Sequence, residues 1–125
     1  MSGRGLPLSY AARQAREEKT NSFVEAAYKD DAKTMETLLN KDAALMNGSS
    51  NGYTALMATA KSGSTKACRL LLARNCDTQI KCTSEDTADC DKTALELAVW
   101  GDSEHVANLL EKALMRQAML ASMSR

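Results

Sequence analysis

The sequence predicts an all-α protein made of stacked helix-turn-helix units with hairpin loops between them. Two observations support this prediction. The 125 residues are rich in alanine, leucine and methionine, whose side chains lose little freedom in a helix. The phrase Thr-Ala-Leu also occurs twice, at residues 54–56 and 93–95. A chain of this length forms about one domain and can bury a core without disulfides or metals.

Comparison of the chain with itself gives three related units. Asn21 and Thr54 begin the first two units and lie 33 residues apart, while Thr93 begins the third unit 39 residues after Thr54. In the 33-residue register the apolar positions coincide: Phe23 with Leu56, Ala27 with Ala60, Met35 with Cys68, and Leu38-Leu39 with Leu71-Leu72. Apolar residues that recur at such a period indicate a solenoid, in which each unit buries its core only against its neighbours.

Each unit is expected to contain two helices. The first is short and begins at a residue whose side chain can accept from the helix's first amides: Asn21, Thr54 or Thr93. A turn then follows at Asp30-Asp31, Gly63 or Gly101-Asp102, where glycine tolerates a positive φ. The second helix is longer and carries a Leu-Leu pair at 38–39, 71–72 and 109–110. Polar loops such as NGSSNG at 47–52 connect the units.

These residues resemble the ankyrin-repeat family. The family phrase Gly-x-Thr-Pro-Leu-His-x-Ala-Ala-x-x-Gly is matched by residues 52–63, GYTALMATAKSG, and its later Leu-Leu and Gly-Ala-Asp by residues 71–77, LLARNCD. The resemblance covers residues 21–114. It implies an ankyrin-repeat solenoid of helix-turn-helix units and hairpin loops, capped by N- and C-terminal helices, and a role in binding another protein.

The third unit and two positions of the phrase depart from the family pattern. Ala55 and Ala94 stand where proline is usual, and Met57 and Glu96 where histidine is usual. We therefore expect a lost hydroxyl–histidine network, at a cost of about 1 kcal/mol per hydrogen bond. The extra residues before the third unit fall in KCTSEDTADCDK at 81–92, here called the finger, which predicts a long acidic hairpin.

The flanks predict an end helix on each side of the stack, because terminal units must cover the core. Residues 1–20 are expected to form a tail and a capping helix that begins at Ser9. The units then span 21–53, 54–92 with the finger, and 93–114, and residues 115–125 form a helical extension. Three methionines recur on one side of that extension, as a cover for the last unit or as a second docking surface: Met115, Met119 and Met123.

Composition argues against several functional classes. Sixteen basic and sixteen acidic residues leave no net charge to attract nucleic acid or a membrane surface. The single histidine, His105, has no catalytic motif around it, and no phosphate-binding loop occurs. We expect no enzymatic activity, no cofactor and no small-molecule substrate. The absence of an apolar span or of a secretory hydrophobic segment favours the cytoplasm.

The four cysteines give the main alternative function. Residues 68, 76, 82 and 90 lack the close pairs typical of a zinc site, so we expect no metal. Cys68 and Cys76 occupy core positions of the repeat, where a thiol packs as a small apolar group. Cys82 and Cys90 lie in the finger and could pair across it. The alternative is therefore a small redox- or metal-responsive protein.

The resemblance also implies where a partner protein binds. In such stacks the concave face is formed by the hairpin tips and by the exposed side of each first helix. The residues at these positions are Tyr28, Lys29, Tyr53, Lys61, Ser62, Lys92 and Trp100. Tyrosine and tryptophan are common interface anchors, although Tyr28 and Trp100 could instead pack against neighbouring hairpins. Three units are near the minimum for a stable stack, which favours a subunit of a larger assembly.

Overall fold

The computed structural model describes residues 2–101 and 103–123, with side-chain environments from residue 10 onwards. Six helices and one small hairpin follow in chain order. They are α1 (Ser2–Tyr28), α2 (Ala32–Lys41), a 3-10 turn (Ala43–Asn47), β1 (Ser49–Ser50), β2 (Tyr53–Thr54), α3 (Ala55–Ser62), α4 (Thr65–Ala73), α5 (Ala94–Trp100) and α6 (Glu104–Met123). The two strands are antiparallel, with Ser49 opposite Thr54 and Ser50 opposite Tyr53. The all-α solenoid of helix pairs predicted from the sequence is confirmed.

The first helix differs from its prediction. Helix α1 runs without interruption from Ser2 to Tyr28, so the helix starts predicted at Ser9 and at Asn21 are both wrong. The reason is that residues 9–20 carry good helix formers and no breaker, and a helix that already exists needs no cap at Asn21. Residues 10–19 are all exposed, whereas Phe23, Val24, Ala26 and Ala27 are buried. The end helix therefore extends the first repeat helix.

The other two first helices begin as predicted. The Thr54 hydroxyl accepts from the Met57 amide at 3.3 Å and caps α3. Thr93 caps α5, and Glu96 completes a capping box because its carboxylate accepts from the Thr93 amide at 2.9 Å. The expected loss of the hydroxyl–histidine network is thus offset in the third unit, where the residue that replaces histidine makes a cap of its own.

The turns after the first helices use two backbone conformations, left-handed in the first two units and not in the third. Gly63 adopts φ 73°, as predicted for a glycine. Asp30 occupies the equivalent place with φ 60°, and its carboxylate accepts from the Ala67 amide at 2.9 Å in the next helix pair. Gly101 has φ −94°, so the positive φ predicted there is wrong. Asp102, the other residue of that predicted turn, lies outside the described residues.

The core lies along the stacked first helices. Helix α3 packs between α1 and α5, and all six of its residues from Ala55 to Ala60 are buried. The small side chains of Ala27, Ala60 and Ala98 are fully buried where these helices meet, which allows the helix backbones to approach closely. The second helices α2, α4 and α6 contribute the larger side chains Met35, Leu39, Leu71 and Leu110 to the same core.

The finger folds back and closes on itself. The Cys82 amide donates to the Lys92 carbonyl at 2.8 Å, and the Asp91 amide donates to the Cys82 carbonyl at 2.7 Å. The Thr83 amide also donates to the Gly52 carbonyl at 3.0 Å, which joins the finger to the preceding hairpin. The finger therefore folds back as predicted, but residues 81–92 form turns and not paired strands, and its base lies against the β1–β2 hairpin.

Helix α6 forms the other end of the stack. It continues from Glu104 to Met123, and its buried residues are Val106, Ala107 and Leu110. The predicted extension at 115–125 is thus the last part of this helix as far as Met123, while Ser124 and Arg125, like Met1, lie outside the described residues. The division into units at 21–53, 54–92 and 93–114 stays a prediction.

We expect Gly52→Ala to destabilise the protein more than Gly63→Ala. Both glycines have a positive φ, 89° and 73°, which costs an alanine about 1 kcal/mol. A Cβ at Gly52 would also lie 2.4 Å from the Ser84 amide nitrogen, whereas at Gly63 the nearest atom is the Ser103 Oγ at 3.8 Å. Urea unfolding should give a loss of about 3 kcal/mol for the first variant and about 1 kcal/mol for the second. Equal losses would contradict the contact between the finger and the hairpin.

Candidate partner-binding surface

Three of the predicted binding residues line a concave groove of about 540 Å³, and a fourth lies next to it in sequence. Tyr28, Tyr53 and Lys61 line it, and Val24 and Ala58 give it an apolar floor. Lys29 follows Tyr28 and makes a 3.9 Å ion pair with Glu25, one helical turn away on α1. The groove therefore brings together residues of α1, the β1–β2 hairpin and α3.

Tyr53 and Lys61 are held by a residue that the sequence prediction missed. The Tyr53 hydroxyl donates to the Asp89 carboxylate at 2.6 Å, and the Lys61 ammonium pairs with the same Asp89 oxygen. Lys61 also lies 5.4 Å from the centre of the Tyr53 ring, within the range of a cation–π contact. Through Asp89, the finger thus fixes the positions of two predicted binding residues.

Hydrogen bonds, together with burial at Tyr53, shift the pKa of each member of this cluster. The hydrogen bonds from Lys61 and Tyr53 hold the pKa of Asp89 below its ordinary value of 3.8. The hydrogen bond to Asp89 raises the pKa of Lys61 above 10.5. Burial, followed by the bond to Asp89, raises the pKa of Tyr53 above 10.0. The cluster therefore stabilises the charged Asp89 and Lys61 over the whole neutral range.

A second cation–π pair connects two further predicted residues, Lys92 and Trp100. The Lys92 ammonium lies 4.6 Å from the centre of the Trp100 ring. Trp100 is nevertheless 65% exposed, and Tyr28 is 56% exposed, so neither aromatic residue is buried against a neighbouring hairpin. Tyr28, Lys61 and Trp100 stand at equivalent positions, near the ends of α1, α3 and α5. They form one row of side chains along the three first helices.

Ser62 has a local structural role. Its hydroxyl donates to the Ala58 carbonyl at 2.9 Å and lies 2.6 Å from the Ser64 hydroxyl. Ser64 in turn donates to the Tyr28 carbonyl at 3.0 Å, so this chain of bonds connects two neighbouring turns. Ser62 also lines a separate cavity of about 470 Å³ that includes His105.

Several groove residues could not be selected from the sequence. The Ser50 hydroxyl donates to the Asn21 side chain at 2.5 Å, and both residues line the groove together with Asn51. Asn51 has φ 54°, a left-handed conformation that suits the hairpin tip. Asp89 was visible only as one of several acids of the finger. The length of the finger predicts that it folds back onto the protein. Nothing in its sequence, however, distinguishes Asp89 from Glu85 or Asp86.

The methionines of α6 are exposed. Met115 is 66% exposed, Met119 63% and Met123 76%. They therefore do not cover the last unit in the way that a buried apolar side chain would. Their role as a second docking surface stays a prediction.

The four thiols differ in burial. Burial raises the pKa of Cys68 to about 11 and that of Cys76 to about 12, as expected for core positions. Cys82 is also buried, and its sulfur accepts from the Ser84 amide at 3.4 Å, whereas Cys90 is half-buried. All four cysteines are free.

No cluster of three or more histidine, cysteine, aspartate or glutamate side chains among the described residues could hold a metal ion. None of the described helices combines the length and the apolar character needed to cross a bilayer.

We expect Lys61→Met to raise the pKa of Asp89. Because the folded pKa of Asp89 lies below its ordinary value, its stabilising effect is complete above pH 3.8 and is lost as the pH falls through the folded pKa. Carboxyl carbon NMR during an acid titration should show the Asp89 midpoint move up in this variant. Lys29→Met is the matched control, because Lys29 is paired with Glu25, and it should leave the midpoint unchanged. An unchanged Asp89 midpoint in both variants would contradict the ion pair.

We expect one thiol to react much faster than the other three in the native protein. Cys90 is more accessible than the buried Cys68, Cys76 and Cys82, and only ionised thiols react. Titration with a disulfide reagent at neutral pH should give a rapid phase of one equivalent, followed by slow phases that require unfolding. Cys90→Ser should remove the rapid phase and Cys76→Ser should keep it. A rapid phase that survives Cys90→Ser would contradict the burial of the other thiols.

Comparisons with known proteins agree with this architecture. A family model described as ankyrin repeats, in three copies, matches residues 23–117. The chain is 33% identical over 107 residues to the NAD-capped RNA hydrolase NUDT12 of Macaca fascicularis, Homo sapiens and Pongo abelii. That match covers 85% of this chain but only 22% of each relative, so the chain spans about a fifth of their length. No solved structure gives a significant match. The family model spans most of the chain and coincides with the stacked helix pairs, and the protein therefore belongs to the ankyrin-repeat family.

Proposed function

We propose that this chain is a non-enzymatic interaction module that binds a partner protein through its concave groove, as an adaptor or as a subunit of an assembly. Ankyrin repeats generally mediate interactions between proteins, which supports the proposal at the level of the family. The observation that carries it is the exposed row of Tyr28, Lys61 and Trp100 along the ends of the first helices. Two exposed aromatic side chains at equivalent repeat positions are suited to anchor a partner.

The groove itself suits a protein segment. Its floor is apolar, at Val24 and Ala58, and its edges carry the polar side chains of Asn21, Asn51 and Glu25. A partner can therefore bury an apolar side chain and make hydrogen bonds at the rim, which is the usual arrangement of a specific interface. Because Asp89 already neutralises Lys61, we expect aromatic and apolar contacts to contribute more binding energy there than charge does.

The activity of the relatives is not part of this proposal. These relatives are RNA hydrolases by name, but this chain corresponds to only 22% of their length. Lys61 and Asp89 neutralise each other, and His105 is an exposed side chain on α6. We therefore propose a binding role without catalysis, with a protein as the partner and no cofactor, nucleic acid, membrane or small-molecule substrate involved. A cytoplasmic location remains part of the proposal.

We expect the double substitution Tyr28→Ala and Trp100→Ala to abolish partner binding without unfolding the protein. Each large aromatic anchor typically contributes about 2 kcal/mol, so the loss of both should lower the affinity by a factor of roughly 1,000. Tyr53 is left intact, because its hydroxyl holds the finger. Quantitative mass spectrometry of proteins captured by the full chain identifies candidate partners, and calorimetry with a purified candidate measures the affinity.

Tyr10→Ala is the matched control for this experiment. Tyr10 is 60% exposed, like the two anchors, but it lies on the exposed part of α1 away from the groove. Binding should be kept in this variant. A partner that binds the wild type, the double variant and the control equally would contradict the proposed groove, and the unfolding curves of all three proteins should coincide.

A further inference from the structure

A second groove runs along the seam between α4 and α6, and it shares no residue with the concave groove. It consists of two adjoining cavities of about 270 and 360 Å³, joined by Arg69, Leu109 and Lys112, which line both. One end of the seam lies at Thr65 and His105, and the other lies beyond Ala73. Helix α4 is nine residues long, or about 13 Å, so the seam matches about two and a half turns of a helix laid along it.

The floor of this α4–α6 groove is aliphatic. Leu72 and Ala73 of α4 face Leu109 and Ala113 of α6 across it, and Leu72, Leu109 and Ala113 are only half-buried. Side chains spaced three and four residues apart on each helix form ridges with a furrow between them. Such a furrow accepts the apolar ridge of a third helix, as helix-in-groove recognition requires.

The rim of the α4–α6 groove is basic. Arg69, Lys112 and Arg116 line it, and neither cavity is lined by an aspartate or a glutamate. Among the ion pairs of the described residues, none involves these three side chains, although other cations of the protein are paired. In a chain with no net charge, this is a local excess of positive charge that the protein itself does not neutralise.

The exposed methionines extend the same surface. Helix α6 continues for more than two turns beyond the end of α4, where Met119 lies three residues after Arg116 and Met123 lies four residues after Met119. These spacings place the methionines beside the rim on one side of the helix. Flexible thioether side chains adapt to irregular partner surfaces, so the overhanging end of α6 can lengthen the contact made in the seam.

We propose that the α4–α6 groove is a docking site for an amphipathic helix of a partner protein that carries aliphatic residues on one face and Asp or Glu along the edges of that face. The aliphatic face fills the furrow, and its acidic edges meet Arg69, Lys112 and Arg116, which fixes the orientation and speeds association. Nucleic acid suits the site poorly, because the floor is aliphatic and no phenylalanine, tyrosine or tryptophan lines either cavity as a platform for a base, while His105 lies only at one end.

The first experiment selects peptides on the full-length protein. The library contains helical peptides of 15 residues with leucine fixed at positions 4, 8, 11 and 15 and with the other positions randomised among Glu, Lys and Ala. We expect the selected peptides to be enriched in Glu beside the leucine face. No enrichment over an unrelated protein, or enrichment in Lys, would overturn the proposal. A fluorescent oligouridylate that binds the protein at the same site and displaces the peptides would overturn it as well, in favour of a general polyanion site.

The second experiment places the selected peptides on the molecule. Arg69→Glu combined with Arg116→Glu should weaken their binding at least tenfold, because the acidic edges then meet like charge. Arg13→Glu combined with Lys19→Glu changes the net charge equally on the exposed part of α1 and should keep the affinity within about twofold. All four positions are exposed, so the circular dichroism and urea curves of both variants should match those of the wild type. Equal binding by the two double variants would overturn the proposal.

The methionines provide a third measurement without any substitution. In a protein with labelled methionine methyl groups, the peptide should shift the resonances of Met119 and Met123. The resonances of Met35 and Met57, which are fully buried in the core, should stay in place. Two results would overturn the placement of the peptide in the α4–α6 groove. One is a set of shifts confined to Met46, which is far from the seam in sequence, and the other is shifts of the core methyl groups alone. Because the concave groove contains no methionine, this pattern also separates the two surfaces.

Discussion

The close approach of α1, α3 and α5 is the constraint on which the rest of the structure depends. Ala27, Ala60 and Ala98 are fully buried on these three packed helices, and side chains this small allow helix backbones to approach closely. Their separation sets the distance between the row residues Tyr28, Lys61 and Trp100. The position of α3 also determines how the finger meets this helix, because Lys61 on α3 pairs with Asp89 of the finger. The arrangement of the concave surface therefore depends on how closely the three first helices pack.

Units with different residues reach the same backbone geometry through different chemistry. In the first unit Asp30 takes the left-handed conformation that Gly63 takes in the second, and its carboxylate binds the Ala67 amide of the next helix pair. In the third unit Glu96 makes a capping box with Thr93. In both units, the carboxylate side chain accepts a hydrogen bond from a backbone amide near a helix end. Without it, that amide would lack a partner. This explains how the stack tolerates departures from the family phrase.

The sequence predicted what depends on local pattern and on period. The apolar positions of the repeat became the core, and the threonine caps lie where they were expected. The continuity of α1 was missed, because a possible cap at Asn21 does not stop a helix that is already formed. The role of Asp89 was missed for another reason. Its bond to Tyr53 joins residues 36 positions apart, and only the path of the finger decides which acid reaches the groove.

The chain has no net charge, but its two surfaces differ in whether their cations are paired. On the concave side, Asp89 of the finger neutralises Lys61 and accepts from Tyr53, and Lys92 lies over Trp100, so the cations there are already engaged. Along the seam between α4 and α6 no acid lines the groove. A cation that is paired internally contributes little to a new partner, whereas an unpaired cation beside an aliphatic furrow selects for acidic side chains. The two surfaces therefore differ in charge and in apolar character, and the two proposed binding sites would select chemically dissimilar partners.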